Sequence, residues 1–177
     1  MSKPASVEGF AKNTGRDWNG WLEFLGAIGA KDLSHKEIAA RIAATGEASG
    51  WWAQQITVAY EQHIGRRAPG QRSDGAFEVA VSKTLAGSMD EALAAWQKLA
   101  GGRTEFGGVA IAAAPETSAT EKWRYWRCGL ADGTKLTVTI TGKAPGKAGL
   151  TVTHDKLASA EDKERWRAFW KAELSAL

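Results

Sequence analysis

Apolar side chains recur at helical spacing through the first third of the chain. Each run starts with a capping residue and stops at a glycine, which is typical of short helices. Thr14, followed by Asp17, is expected to cap the first of these helices. Before it, residues 1–13 carry little pattern and are predicted to be a flexible tail. We therefore predict a three-helix segment over residues 14–65, whose helices end near Gly29, Gly46 and Gly65.

The helical period gives way to an alternating one after residue 75. Residues 66–75 (RRAPGQRSDG) are rich in glycine, proline, serine and charge, and are predicted to be a linker. From Phe77 onward apolar and polar or small residues alternate, as in a half-buried strand, and a helix is expected after Ser88. The pattern then predicts four strands and a final helix: residues 105–112, 121–128, 134–141, 149–155 and, for the helix, 159–176.

The last predicted helix decides the fold class. Trp166, Phe169 and Trp170 lie on one face of it and form an apolar stripe. An antiparallel sheet with one apolar face must cover that face, and this helix supplies the cover. We therefore predict an α+β protein, in which the three-helix segment precedes a domain at residues 76–177 with an antiparallel sheet packed on a long C-terminal helix.

Strand 121–128 (EKWRYWRC) has aromatic residues and arginines on both faces, so the turn after it decides which face is buried. A two-residue Asp-Gly turn would direct one set of side chains inward: Trp123, Tyr125 and Arg127. A three-residue turn with Gly133 in the left-handed region would direct the other set inward: Arg124, Trp126 and Cys128. The second alternative buries the cysteine, which favours it. Both alternatives bring an arginine to the inner face beside a tryptophan.

Composition narrows the function classes. Apolar residues make up 44% of the 177 residues and charged residues 24%, the balance of an ordinary globular protein. The apolar runs are too short to span a bilayer, which argues against a membrane protein. The single cysteine predicts a reducing compartment, and no N-terminal stretch resembles a signal peptide, so a cytoplasmic location is expected. Basic and acidic residues are interspersed, apart from a short cluster, so nucleic-acid binding is not predicted; the cluster is Arg66, Arg67 and Arg72.

The titratable side chains form no complete catalytic motif. His35, His63 and His154 do not lie at metal-ligand spacing and no Cys-x-x-Cys pair exists, so neither a metal site nor a cofactor is predicted. His154 is the best candidate for acid–base chemistry because its period places it on the inner face of its strand. A hydrogen-bonded core histidine is the simpler interpretation. Glu61 and His63 are two residues apart on a helix and so point in different directions.

The segment from Lys122 to Leu157 (KWRYWRCGLADGTKLTVTITGKAPGKAGLTVTHDKL), with the helix after it, resembles the START/SRPBCC helix-grip superfamily. It is most similar to the branch of Aha-type activators of the heat-shock ATPase chaperone. The segments SHKEIAARI and SGWWAQQITVAYEQHIG resemble a small helical domain of unknown function that often precedes it. This resemblance covers residues 14–177 and implies a helix-grip domain with a hydrophobic cavity for a small molecule. The stretch between Leu99 and Glu121 is short, which predicts fewer strands than the superfamily usually has.

The leading hypothesis is a non-enzymatic protein that binds a small hydrophobic ligand in a helix-grip cavity. The predicted ligand-binding residues are Arg124, Tyr125, Trp126, Arg127, Val138, His154, Trp166 and Trp170. One alternative is a cyclase- or hydrolase-type enzyme that uses His154. The others are a co-chaperone-like module and a nucleic-acid interaction module. In both modules the N-terminal helices contact the partner. The partner of a co-chaperone-like module is a protein.

Overall fold

The computed structural model describes residues 5–177. The chain divides after Gly75 into two compact units, which we call the N-terminal unit and the C-terminal unit (Ala76–Leu177). The division falls at the end of the segment predicted to be a linker. Each unit has a buried apolar core of its own.

Among residues 5–75, four α-helices and a 3₁₀ turn at Ala30–Asp32 form the N-terminal unit. The helices are α1 (Phe10–Thr14), α2 (Trp18–Ala27), α3 (His35–Ala44) and α4 (Gly50–His63). The three predicted helices correspond to α2, α3 and α4. Their apolar faces meet in one core, whose largest fully buried members are Phe10, Trp21, Leu25, Ile38, Ile42 and Ile56.

Helix α1 differs from the predicted flexible tail. Residues 1–4 of that tail lie outside the described residues. Phe10, however, starts α1 and is only 1% exposed, because its ring packs against Trp18 and Trp52. A single aromatic residue gives no periodic signal, so the hydrophobic pattern does not reveal this helix.

The cap of α2 is Asp17, and not Thr14 as predicted. The Oδ1 atom of Asp17 accepts a hydrogen bond from Gly20 N at 2.8 Å. Thr14 ends α1 instead, and its hydroxyl donates to Phe10 O at 2.8 Å. The same hydroxyl accepts a bond from the buried Trp21 Nε1 at 3.0 Å. Thr14 therefore accepts the hydrogen bond of the buried Trp21 indole, a contact that the local sequence does not reveal.

Residues 66–75 pack on the end of α4. The backbone N–H groups of Arg66 and Arg67 both donate to Glu61 O, at 2.8 and 3.1 Å. The side chain of Gln71 accepts a bond from Ala68 N at 2.9 Å and donates to the carbonyl of residue 75 at 2.7 Å. These bonds make the segment a structured loop of the N-terminal unit, although its composition is that of a linker.

The C-terminal unit contains a five-stranded antiparallel sheet, a two-stranded hairpin and two helices. Its strands are β1 (Phe77–Ala86), β2 (Glu105–Phe106), β3 (Val109–Ala110), β4 (Glu116–Ala119), β5 (Trp123–Gly129), β6 (Lys135–Ala144) and β7 (Lys147–Leu157). The helices are α5 (Met89–Ala100) and α6 (Ala160–Ser175). The strand order in the sheet is β1-β7-β6-β5-β4, and α6 packs against β1 and β7. The predicted α+β class, with an antiparallel sheet packed on the C-terminal helix, is confirmed.

The stretch between α5 and β5 holds more strands than predicted. Instead of one weak strand at 105–112, it contains the β2–β3 hairpin and then β4. All four residues of β4 are exposed, so no apolar alternation marks it. Gly107 turns the hairpin with a φ of 55°, and a Cβ atom there would lie 2.8 Å from the ring of Trp166. The hairpin therefore packs directly on α6.

The turn between β5 and β6 determines the buried face of β5. Gly133 has a φ of 85°, and Leu130 N donates to Thr134 O at 3.0 Å across a three-residue loop. This is the second of the two predicted alternatives. Trp126 and Cys128 are therefore buried, and they pair with Val138 and Leu136 of β6, respectively.

Candidate functional site

The predicted ligand-binding residues of the inner face meet in an aromatic core between the sheet and its helices. Five of them lie there, each at most 4% exposed: Trp126, Val138, His154, Trp166 and Trp170. Trp96 from α5 and Phe106 from β2 complete the group. The rings lie with their centroids 4.2 to 6.2 Å apart, most of them tilted or edge-on. Side chains thus occupy the space in which the sequence places a ligand.

His154 is held by hydrogen bonds to both of its ring nitrogens. Trp170 Nε1 donates to His154 Nδ1 at 3.3 Å, because an indole nitrogen can only donate. Nδ1 is therefore the acceptor, and Nε2 carries the hydrogen and donates to Thr134 Oγ1 at 2.8 Å. The Thr134 hydroxyl in turn donates to Asp132 Oδ1 at 2.7 Å. This chain of bonds fixes the neutral tautomer of the imidazole.

The surroundings of His154 disfavour its charged form. Burial lowers the pKa of His154 from 6.5 to about 4, and the nearby Asp132 carboxylate offsets only part of this effect. Protonation would also set an Nδ1–H group against the Trp170 N–H, so that two donors would face each other. With both nitrogens engaged, the ring is a core histidine that joins β7 to α6. This is the simpler of the two interpretations given by the sequence.

We expect acid to destabilise the C-terminal unit through His154. In the unfolded chain the pKa of the imidazole returns to its usual value, so the unfolded state binds the proton first as the pH falls. Stability is then complete above pH 6.5 and is lost between pH 6.5 and about 4. At about 1.4 kcal/mol for each pH unit, the loss amounts to about 3 kcal/mol. Urea unfolding at a series of pH values would measure it.

A His154→Gln variant provides the control for the pH dependence. Glutamine has no proton to gain in this range, so the part of the slope that comes from His154 should disappear, whatever the variant's absolute stability. An unchanged slope in the variant would assign the acid sensitivity to other groups.

Arg124 lies at the end of β5, where it faces α5. Its guanidinium forms a two-bond ion pair with Asp90 in the first turn of that helix, with Nε–Oδ1 at 2.6 Å and Nη2–Oδ2 at 3.1 Å. The hydrogen bond from Arg124 holds the pKa of Asp90 below its usual range. Arg124 therefore ties the sheet to α5, and its charge has a partner within the unit.

Tyr125 and Arg127 lie on the opposite face of the sheet, because successive residues of a strand alternate. The guanidinium of Arg127 lies 4.4 Å from the centroid of the Tyr125 ring and donates to Ser118 Oγ at 2.9 Å. Trp123, which is 39% exposed, stacks beside Tyr125. Either alternative for β5 divides the eight predicted residues between two faces of the sheet, and the structure puts Tyr125 and Arg127 on the outer one.

Cys128 is buried beside the apolar residues of β6. Burial raises the pKa of its thiol to about 11, so the thiol stays protonated at neutral pH. A protonated thiol is a weak nucleophile, and Cys128 therefore acts as a small apolar side chain.

Trp96 carries a buried polar atom that the sequence does not single out. Among residues 5–177 its Nε1 atom has no hydrogen-bond partner, although the side chain is fully buried. Its ring lies edge-on to Trp126 with a centroid separation of 5.4 Å. A cleft of about 170 Å³ reaches Trp126 from the surface and is lined partly by Ala100, Ile111 and Pro115. The ring that carries the unpaired donor therefore packs on a ring that lines a cleft.

A second group of polar residues lies in the N-terminal unit, around the carboxylate of Glu61. This residue is 6% exposed and receives three charged or polar partners: His35 Nδ1 at 2.9 Å, Arg66 Nη2 at 3.1 Å and Arg67 Nη1 at 3.1 Å. His35 Nε2 also contacts Gln54 Oε1 at 2.8 Å. The group lines a pocket of about 270 Å³.

Sequence patterns do not predict that these polar residues lie together. Glu61 and His35 lie on different helices, and their contact depends on the packing of α3 against α4. One signal is present in the sequence, namely the two arginines that follow a helix with a glutamate on its last turn. That signal predicts a local ion pair and not a pocket.

Among residues 5–177, no three His, Cys, Asp or Glu side chains are grouped as a metal site would require. No helix in the same range is both long and apolar enough to cross a lipid bilayer. Comparison of the sequence with models of known families and with curated proteins found no match.

Proposed function

We propose that the chain is a non-enzymatic binding protein whose C-terminal unit takes up a small hydrophobic molecule bearing one hydrogen-bond acceptor. The observation that carries the proposal is the buried, unpartnered N–H group of Trp96 in the aromatic core. Leaving such a donor without a partner costs about 1–3 kcal/mol. An acceptor on a ligand would recover that free energy, whereas a purely apolar ligand would not.

The cleft beside Trp126 provides an entry route for this ligand and limits its size. Its volume of about 170 Å³ is close to that of cavities of about 150 Å³ that hold a benzene-sized molecule. Its lining is mainly apolar and includes Arg103. The guanidinium of Arg103 is paired with Glu173 at 2.6 Å. Trp126 lines this cleft and its ring packs on that of Trp96, so we infer that the ligand reaches the free N–H by displacing the Trp126 ring.

A pair of ligands with the same shape tests the proposal. Acetophenone and α-methylstyrene differ only in a carbonyl oxygen against a methylene group, so only acetophenone accepts a hydrogen bond. We expect acetophenone to bind about tenfold more tightly, which corresponds to about 1.4 kcal/mol. Indole N–H signals in ¹H–¹⁵N NMR spectra would follow both titrations, and the Trp96 signal should move downfield with acetophenone alone.

Trp96→Phe keeps an aromatic ring and removes the donor, and it also identifies the Trp96 signal by its disappearance. In this variant the preference for acetophenone should vanish. Equal affinity of the wild-type protein for the two ligands, or no change in any indole signal with either, would refute the proposal.

The other hypotheses remain predictions. A His154-dependent enzyme would need an imidazole nitrogen open to its substrate, whereas both nitrogens are hydrogen-bonded. The helix-grip resemblance, the co-chaperone-like or nucleic-acid role of the N-terminal helices and the cytoplasmic location also stand as proposals.

A further inference from the structure

The pocket around Glu61 carries an excess of positive charge. Its charged lining residues are Glu61 and three arginines, namely Arg66, Arg67 and Arg72. Without His35, the charges of these four side chains sum to +2. Asp74 lies near its edge and pairs with Arg72 at 3.7 Å, with both side chains about half exposed. The buried Glu61 carboxylate therefore pairs with two half-buried guanidinium groups, those of Arg66 and Arg67. A second negative charge would give each guanidinium group an anionic partner of its own.

The two arginines next to Glu61 are positioned before any ligand arrives. Arg67 donates from Nε to Gln71 O at 2.7 Å and from Nη1 to Glu61 at 3.1 Å. Arg66 donates from Nη1 to Leu33 O at 2.8 Å and from Nη2 to Glu61 at 3.1 Å. A guanidinium group has five N–H donors, so each arginine keeps donors beyond these bonds. The fixed groups lose little side-chain entropy on binding, which favours affinity.

We propose that this pocket binds the phosphate group of a small molecule. Arginine forks match the oxygens of phosphate and carboxylate groups, and they bind them through charge-assisted hydrogen bonds. The net positive charge of the lining favours an anion, and a phosphate monoester is close to a dianion at neutral pH. Arg67 and Arg72 contact the phosphate, and Glu61 is a positioning residue that holds Arg66 and Arg67 in place.

The pocket is large enough to hold more than a phosphate ion. Its volume of about 270 Å³ exceeds the ~30 Å³ share of one water molecule several-fold, which leaves space for an organic group beside the phosphate. Polar side chains, His35 and Ser34 among them, complete the wall, so that group is expected to be polar. All of the lining residues belong to the N-terminal unit, so this proposal is separate from the one made for the C-terminal unit.

Calorimetric titration of the full chain with inorganic phosphate in a low-chloride buffer tests the assignment. We expect saturable binding that weakens about tenfold or more in Arg67→Gln and in Arg72→Gln, as for the loss of a charge-assisted hydrogen bond. The Arg72 side chain is 46% exposed, against 13% for Arg67, so Arg72→Gln should fold even if Arg67→Gln does not. The matched control is Arg41→Gln, an exposed arginine of α3 outside the pocket, which should bind as the wild type does.

Three results would overturn the proposal. The first is the absence of saturable binding up to about 10 mM phosphate, since two charged contacts should give a lower Kd. The second is an equal effect of Arg72→Gln and Arg41→Gln, which would indicate general attraction to a basic surface. The third is displacement of phosphate by an equal concentration of acetate, which would assign the pocket to carboxylates.

Discussion

Replacement of Trp170 by alanine is expected to lower the free energy of unfolding of the C-terminal unit by about 3–5 kcal/mol. The side chain is fully buried and contacts Trp96, Phe106 and Trp166, so its removal leaves a large cavity in the aromatic core. The substitution also removes the donor to His154 Nδ1 and leaves that buried nitrogen without its partner. Urea unfolding followed by far-UV circular dichroism would measure the loss.

Trp123→Ala is the matched control for the Trp170 variant. It removes the same side chain from β5, but this tryptophan is 39% exposed and lies on the outer face of the sheet. We expect its effect to be about 1 kcal/mol or less, as for substitutions outside the core. Similar losses in the two variants would show that the aromatic core does not dominate the stability of the unit.

Replacement of Glu61 by alanine should destabilise the N-terminal unit by about 3–5 kcal/mol. The reason is electrostatic, because the substitution leaves His35, Arg66 and Arg67 around a position that no longer carries a negative charge. Their side chains are between 13% and 34% exposed, so water solvates them only in part, and the lower end of the range is expected. Thermal unfolding monitored by circular dichroism would give the change in stability.

Glu47→Ala tests whether burial is the cause. Glu47 pairs with Arg16 on the surface of the same unit, and both side chains are about one-third exposed. Such pairs contribute about 1 kcal/mol or less. If the Glu47 variant loses as much stability as the Glu61 variant, burial is not the cause of the larger effect expected at Glu61. Glu61→Gln adds a finer comparison, since it keeps the shape and removes only the charge.

The fold was predictable where one face of an element is apolar and capping residues or glycines mark its ends. The alternation in β6 and β7, the capping box before α5 and the stripe on α6 all give such signals. For β5, the alternative favoured because it buries Cys128 is the one that the structure shows, with Gly133 in the left-handed region. The short β4 was missed since all its residues are exposed, and α1 was missed since it rests on one buried ring, that of Phe10.

The candidate sites were less predictable because they depend on how elements pack. The period of β7 placed His154 in the core, but the bond from Trp170 depends on how α6 is rotated against the sheet. The free N–H of Trp96 follows from the neighbours that surround it, and no sequence spacing encodes that. The partners of Glu61 come from helix α3 and from the loop after α4, so sequence alone shows only a nearby cluster of arginines.

The place of β1 beside β7 sets the order in which a newly made chain can fold. β1 is an edge strand, and its strand partner in the sheet is the last strand of the unit, about 60 residues further along. Closing so long a loop is slow compared with forming the local helical contacts of the N-terminal unit. During translation the helices can therefore fold while β1 still exposes its apolar face. The nascent chain is most prone to aggregate in this interval, which ends when residues 147–177 leave the ribosome.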